Sequence, residues 1–403
     1  MKIINYFRFI ITMLMVSIFI PIVSENIPFL FSYYFQSAIF LSSILFLKPS
    51  VFLKKSNLLS LSFLIMFFIF MSIDLYEINN IWIIKNIFPI FLSITVINYF
   101  RVTDDVVGQR NIVRICLILI VVTSLITIII NIAFPFATRT YYSTTSESIV
   151  NFYDKLGIGG YGLATGIVLL FPLIQLQYRK SKDKQKKLFL LLNIILFFSV
   201  LATSITVSVF LMVLGIAISF IGYRLLKKYF IMINIIVIIL LVTSMGFYSN
   251  IFYRLADLTS NEVFQLRINN IGYMFEIQEI DVDNPHATEL EIRLSRYKDN
   301  WDVFVNNDVF FGNGIGGNYH LYWVHFLSQF GLIGFGFYIF ILANEIKKNM
   351  MRIKEVQQFY YILSVILFVL TGLLKVIVGQ EMFMIFFFII PSLAYLDLKF
   401  IKD

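Results

Sequence analysis

The residues best suited to chemistry in this chain follow one another between Arg293 and His320. Arg293 and Arg296 stand in "ELEIRLSRYKDNWDVFVNN", the glycine run "FFGNGIGGN" begins at Phe310, and His320 comes just after it. Guanidinium groups match phosphate oxygens with paired hydrogen bonds. A histidine can take a proton from a hydroxyl near neutral pH. Together these groups could hold a phosphorylated donor and activate an acceptor hydroxyl. Each also has a plainer reading: arginines solvated at a membrane surface, glycines that let backbone pack closely, a histidine held within a helix. The glycine run lacks the following Lys-Ser/Thr of a nucleotide-binding loop, so ATP chemistry is not expected.

Spacing sorts these groups further. Leu290, Leu294, Tyr297, Trp301 and Phe304 recur at steps of four and three, which predicts an amphipathic helix with these residues as its apolar stripe. Arg293, Arg296 and Asn300 share an adjacent face. His320 and His325 are five residues apart. In a continuous helix they would point roughly 140° from each other and sit about 7 Å apart along the axis, so one site could not easily use both. His320, beside the glycine run, is the candidate proton acceptor; His325 is expected to pack within the helix.

The elements that must position these residues follow from composition. The 403 residues are 59% hydrophobic and only 14% charged, too apolar for a soluble domain with a polar exterior. Repeated apolar runs of about 20 residues predict an all-α polytopic membrane protein. About twelve spans are expected, centred near residues 14, 38, 65, 91, 123, 168, 196, 214, 239, 330, 367 and 390. The stretch from Leu188 to Tyr223 holds two of them, with a tight reversal at "TSIT", Thr203 to Thr206. The first run, Asn5 to Ser24, starts basic but lacks a convincing small-residue cleavage site, and reads as the first transmembrane helix. The lone Cys116 cannot form an intrachain disulfide. No Cys/His cluster has metal-ligand spacing, so neither metal nor cofactor is expected.

Basic residues set the orientation. With a cytoplasmic N-terminus, 23 of the 32 Lys and Arg residues fall inside, whereas 17 of the 24 acidic residues fall outside. Both termini are then cytoplasmic, and the net charge of +8 reports topology and not a nucleic-acid partner. The chain reads as one membrane domain, residues 1–403. Its large extracytoplasmic loop, residues 250–318, precedes the tenth span, and a smaller outer segment runs from about Phe134 to Leu156. The arginine pair, the glycine run and His320 therefore face the outside. Lys85 and Lys375 sit in apolar runs near the outer boundary, where an ionisable group marks a ligand pathway or snorkels to the interface.

The C-terminal third resembles the O-antigen polymerase and O-antigen ligase family of polytopic membrane glycosyltransferases. The resemblance is carried by "RLSRYKDNW", "FFGNGIGG", His320 and "FGLIG" at Phe330 to Gly334, in that order, in the large outer loop and the span after it. Two positions depart from the family pattern: Gln329 stands where members often have Glu, and Ser204 is followed by Ile205 where many have a Ser-Arg pair. The resemblance implies a GT-C-like, metal-independent, inverting enzyme of the bacterial inner membrane that uses an undecaprenyl-diphosphate-linked oligosaccharide at the outer face. It places His320 as the base on the acceptor hydroxyl. Arg293 and Arg296 would hold the diphosphate, with Arg267, Arg139 and Lys375 as helpers, and Trp301, Gly312 and Gly314 would complete the substrate site. Membrane lipid is the medium, and a flippase and a chain-length regulator of the same pathway would be partners.

Polymerase is the favoured activity, because so divergent a chain rich in Ile, Phe and Asn fits the more variable polymerase branch. A ligase shares the donor and differs in its acceptor. A lipid-linked-oligosaccharide flippase is the rival from another class. It would be expected to spread polar residues along many helices, whereas this chain concentrates them in one outer loop.

Overall fold

In lipid every backbone N–H and C=O must be satisfied within the protein, which makes helices the natural fold for these apolar runs. The computed structural model describes residues 2–72, 87–143, 146–205, 207–220, 289–314, 321–375, 377 and 379–396, with a few isolated positions between 253 and 269. Among the described residues all regular structure is helical. The main helices are α1 (Lys2–Phe19), α2 (Tyr33–Leu47), α3 (Lys55–Ser72), α4 (Phe88–Thr103), α5 (Val106–Ala133), α6 (Tyr161–Lys180) and α7 (Asp183–Ala202). They continue with α8 (Val207–Phe220), α9 (Glu289–Asn306), α10 (Tyr322–Arg352) and α11 (Glu355–Leu374), and α12 (Gln380–Leu396).

Five of them, α5, α6, α7, α10 and α11, are long and apolar enough to cross a membrane, and six shorter apolar helices accompany them. This is an all-α membrane protein. The expected span centred near residue 239 lies outside the described residues, as does most of the expected outer loop before Glu289. Between α7 and α8 the helix stops at Ala202, and Ser204 takes a left-handed φ of 54°. That conformation is open chiefly to glycine and short polar residues, and it ends the helix within the "TSIT" stretch.

The chain forms two compact units: Met1–Phe220 with Gly334–Asp403, and Ile221–Ile333. In the first, α6 is apolar on every side, as a helix enclosed by others must be. Of its most apolar stretch 89% is buried, against 33% in α5 and 28% in α7. α6 is therefore central, while α5 and α7 keep broad apolar faces for lipid. α4 is buried from Pro89 to Phe100, and α12 carries a buried π turn at Ile385–Ile389 packed against α4 and α6.

Polar side chains tie one end of this unit together. Asn98 donates to Ser56 Oγ and Asn57 Oδ1 at 2.9 and 2.8 Å, joining α4 to α3. Arg101 donates to Glu345 Oε2 at 2.7 Å, and Asn349 donates to the Tyr361 hydroxyl at 3.0 Å, which brings in α10 and α11. Lys348 closes the circuit on Ser56 at 3.0 Å. A buried charge is tolerated only when paired in this way. Asp105 caps α5 by accepting from the Gly108 amide at 2.9 Å, and Arg8 of α1 donates to the same carboxylate at 2.8 Å.

Candidate functional site

The second unit contains α9, the glycine loop and the first turns of α10. As the periodicity predicts, Glu289–Asn306 is helical. Its buried face differs from the expected stripe. Trp301 is 54% exposed, whereas Asn300 and Phe304 are buried. The reason is that Asn300 is satisfied: it donates to the Arg296 carbonyl at 2.8 Å and accepts from Ser328 Oγ at 3.3 Å. A polar residue with partners can replace an aromatic on a buried face. That bond also fastens α9 to α10, one turn beyond the half-buried Arg296.

After α9 the chain turns at Asp308, whose Oδ1 accepts from the amides of Phe310 and Phe311 at 2.9 and 3.2 Å. Gly312 and Gly314 follow with φ of 75° and 77°. The loop lies against a break in α10, where Gly331 adopts φ 62° and ψ −172°. The break releases two helical amides, and the loop takes them: Leu332 donates to the Val309 carbonyl at 2.9 Å and Ile333 to that of Phe310 at 3.0 Å. In return Gly314 donates to the Gln329 carbonyl at 2.9 Å, and the Gln329 side chain donates to the Gly314 carbonyl at 2.7 Å. A Cβ on Gly312 would lie 2.3 Å from the Gln329 oxygen, and one on Gly331 2.4 Å from Phe310 backbone. Neither position admits a side chain.

The glycine amides are thus engaged inside the protein, Gly312 on the Asp308 carbonyl and Gly314 on Gln329. Gly312 and Gly314 shape this junction. The "FGLIG" segment, expected to continue a helix, instead contains its break. Leu321 is not helical and α10 starts at Tyr322. His325 is buried, as expected. His320, Arg267 and Lys85 lie outside the described residues; Arg293 falls within α9, with its side chain outside them.

In the first unit, Arg139 is exposed on the short helix Ala137–Ser143. Lys375 ends α11 with its ammonium 3.5 Å from the centre of the Tyr161 ring at the start of α6, a cation–π contact. Gln329 is the residue whose role the sequence concealed. It registers there only as the loss of a glutamate, yet it is buried and clasps the glycine loop. No family model matches this sequence, and no curated protein matches it.

Proposed function

We propose that this protein is a glycosyltransferase of the bacterial inner membrane that polymerises undecaprenyl-diphosphate-linked oligosaccharide repeat units at the outer face. One observation carries the reading: the glycine loop that follows the arginine helix α9 is clasped to the break in α10. The ordered resemblance of "RLSRYKDNW", "FFGNGIGG" and "FGLIG" supports it. A lipid diphosphate is already a good leaving group. Such an enzyme needs cations to hold it and a base for the acceptor hydroxyl. Arg293 and Arg296 take the first role, helped by Arg267, and His320 takes the second. Trp301, exposed on α9, offers an aromatic face to sugar, and Gly312 and Gly314 hold the loop in shape. Both termini are cytoplasmic in this reading.

The test is His320→Ala in cells, with membrane insertion confirmed and lipid-linked and surface glycans sized. A general base contributes on the order of 10²–10⁴-fold, so glycans reduced to single repeat units are expected. A wild-type size distribution would overturn the assignment of His320. Long lipid-linked chains that never reach the surface acceptor would replace polymerase by ligase.

A further inference from the structure

Away from this junction, a cavity of about 730 Å³ opens between α5, α7 and the turn joining α6 to α7. Ile118, Val121 and Val122 of α5 and Leu188, Leu191 and Ile195 of α7 form its walls. Its lining includes three cations, Arg114, Lys180 and Lys182, and no carboxylate. On each helix the order is the same. Arg114 precedes Ile118 and Val122 at four-residue steps along one face of α5, and Lys182 stands at the N-cap of α7 before Leu188. The site is therefore basic at one end and apolar along its length. From Lys182 to Ile195 it extends about 20 Å at the helical rise, comparable with the roughly 15 Å of hydrocarbon in one leaflet.

The walls are open: Ile118 is 62% and Leu188 63% exposed. An apolar groove open on the flank of a membrane helix meets lipid tails. A soluble anion would gain nothing from that wall, and an uncharged lipid would gain nothing from the three cations. Asp183 opens the first turn of α7 but is not part of this lining. We infer that this groove is a binding site for one anionic glycerophospholipid, with its acyl chain along α5 and α7 and its phosphate among Arg114, Lys180 and Lys182. Its assignment to the cytoplasmic leaflet rests on the orientation in the proposed function; the lipid preference does not.

The full chain, purified in neutral detergent, is titrated with phosphatidylglycerol and with phosphatidylcholine and read by native mass spectrometry. Wild type is expected to favour phosphatidylglycerol. The double variant R114Q/K182Q should lose on the order of tenfold of that preference, while K347Q/K354Q, on exposed lysines elsewhere, should keep it. Leu191→Trp fills the apolar part with the cations intact and should exclude the lipid. Equal affinity for the two lipids would overturn the site, as would unchanged preference in R114Q/K182Q or equal loss in K347Q/K354Q. Displacement of the lipid by glycerol 3-phosphate would overturn it in favour of a soluble anion. Orientation is read separately with Lys184→Cys in a Cys116→Ser background. Labelling by an impermeant maleimide only after permeabilisation supports the cytoplasmic leaflet. Labelling in intact cells overturns that assignment alone.

Discussion

Gln329 and Gly314 hold each other twice, through the glutamine side-chain amide on the glycine carbonyl at 2.7 Å and the glycine amide on the glutamine carbonyl at 2.9 Å. Both bonds are sheltered, and Gln329 is almost wholly buried. An ionised glutamate here could not donate and would set two acceptors against each other. Gln329→Glu is expected to destabilise the protein by about 1–3 kcal/mol, seen as a lower melting temperature in detergent. A variant melting with wild type would show that the clasp contributes little.

Glycines in this chain are not equivalent, and the difference can be measured at α10 and the loop clasped to it. Gly331→Ala places a methyl group into Phe310 backbone at a positive φ, and Gly312→Ala does the same against Gln329. Gly336, five residues beyond the break, has nothing within 4 Å of its added Cβ. Losses of about 2–4 kcal/mol are expected for the first two. Gly336→Ala should be neutral or stabilising by up to about 1 kcal/mol. Equal behaviour of all three would argue against the loop–break junction.

Much of this architecture is visible in the residue order, and the remainder fails to show for physical reasons. Apolar runs mark helices because lipid demands internally satisfied backbone, and the period of Leu290 to Phe304 marks α9. The break at Gly331 is hidden because "FGLIG" is apolar throughout, and a positive φ becomes favourable only when Phe310 and Val309 arrive to accept the freed amides. Asn300 falls outside the apolar stripe for the same reason: its partner, Ser328, is on another helix. Arginine–phosphate and histidine–hydroxyl chemistry can be read from residue types, whereas the clasp by Gln329 depends on where the backbone goes.

Acid should release one fastening at the α1–α5 contact. Burial pushes the Asp105 carboxyl up, but the Arg8 hydrogen bond, the Gly108 amide and the Arg8 charge outweigh it and hold the carboxyl below its usual range. A depressed folded value means that the stabilisation is present above the unfolded value, about 4. It is lost as pH falls through the folded value. Wild type should therefore lose stability below about pH 4, a component absent from Asp105→Asn. That variant should be weaker by about 1–3 kcal/mol at neutral pH. Melting curves from pH 3 to 7 decide the matter, and parallel profiles for the two proteins would refute it.

Arg101 and Glu345 should behave as one unit. Removing Glu345 leaves the Arg101 guanidinium buried without a carboxylate, at a cost of about 3–5 kcal/mol, whereas removing Arg101 leaves Glu345 with Lys348 at 3.4 Å and should cost less. The double variant R101Q/E345Q should lose less than the sum of the two singles. Additive losses in thermal melting would mean that the 2.7 Å contact carries no coupling.

The same pair has a consequence for how the protein is made. Its two members are separated by 244 positions in the chain. At translation rates of about 5–20 residues per second, Arg101 leaves the ribosome roughly 10–50 s before its partner exists. During that interval its guanidinium lacks the carboxylate against which it is buried in the finished protein. A chain that stops early never supplies that carboxylate, and α4 then keeps only the Asn98 oxygen, at 2.9 Å, as an acceptor on its own helix for this guanidinium.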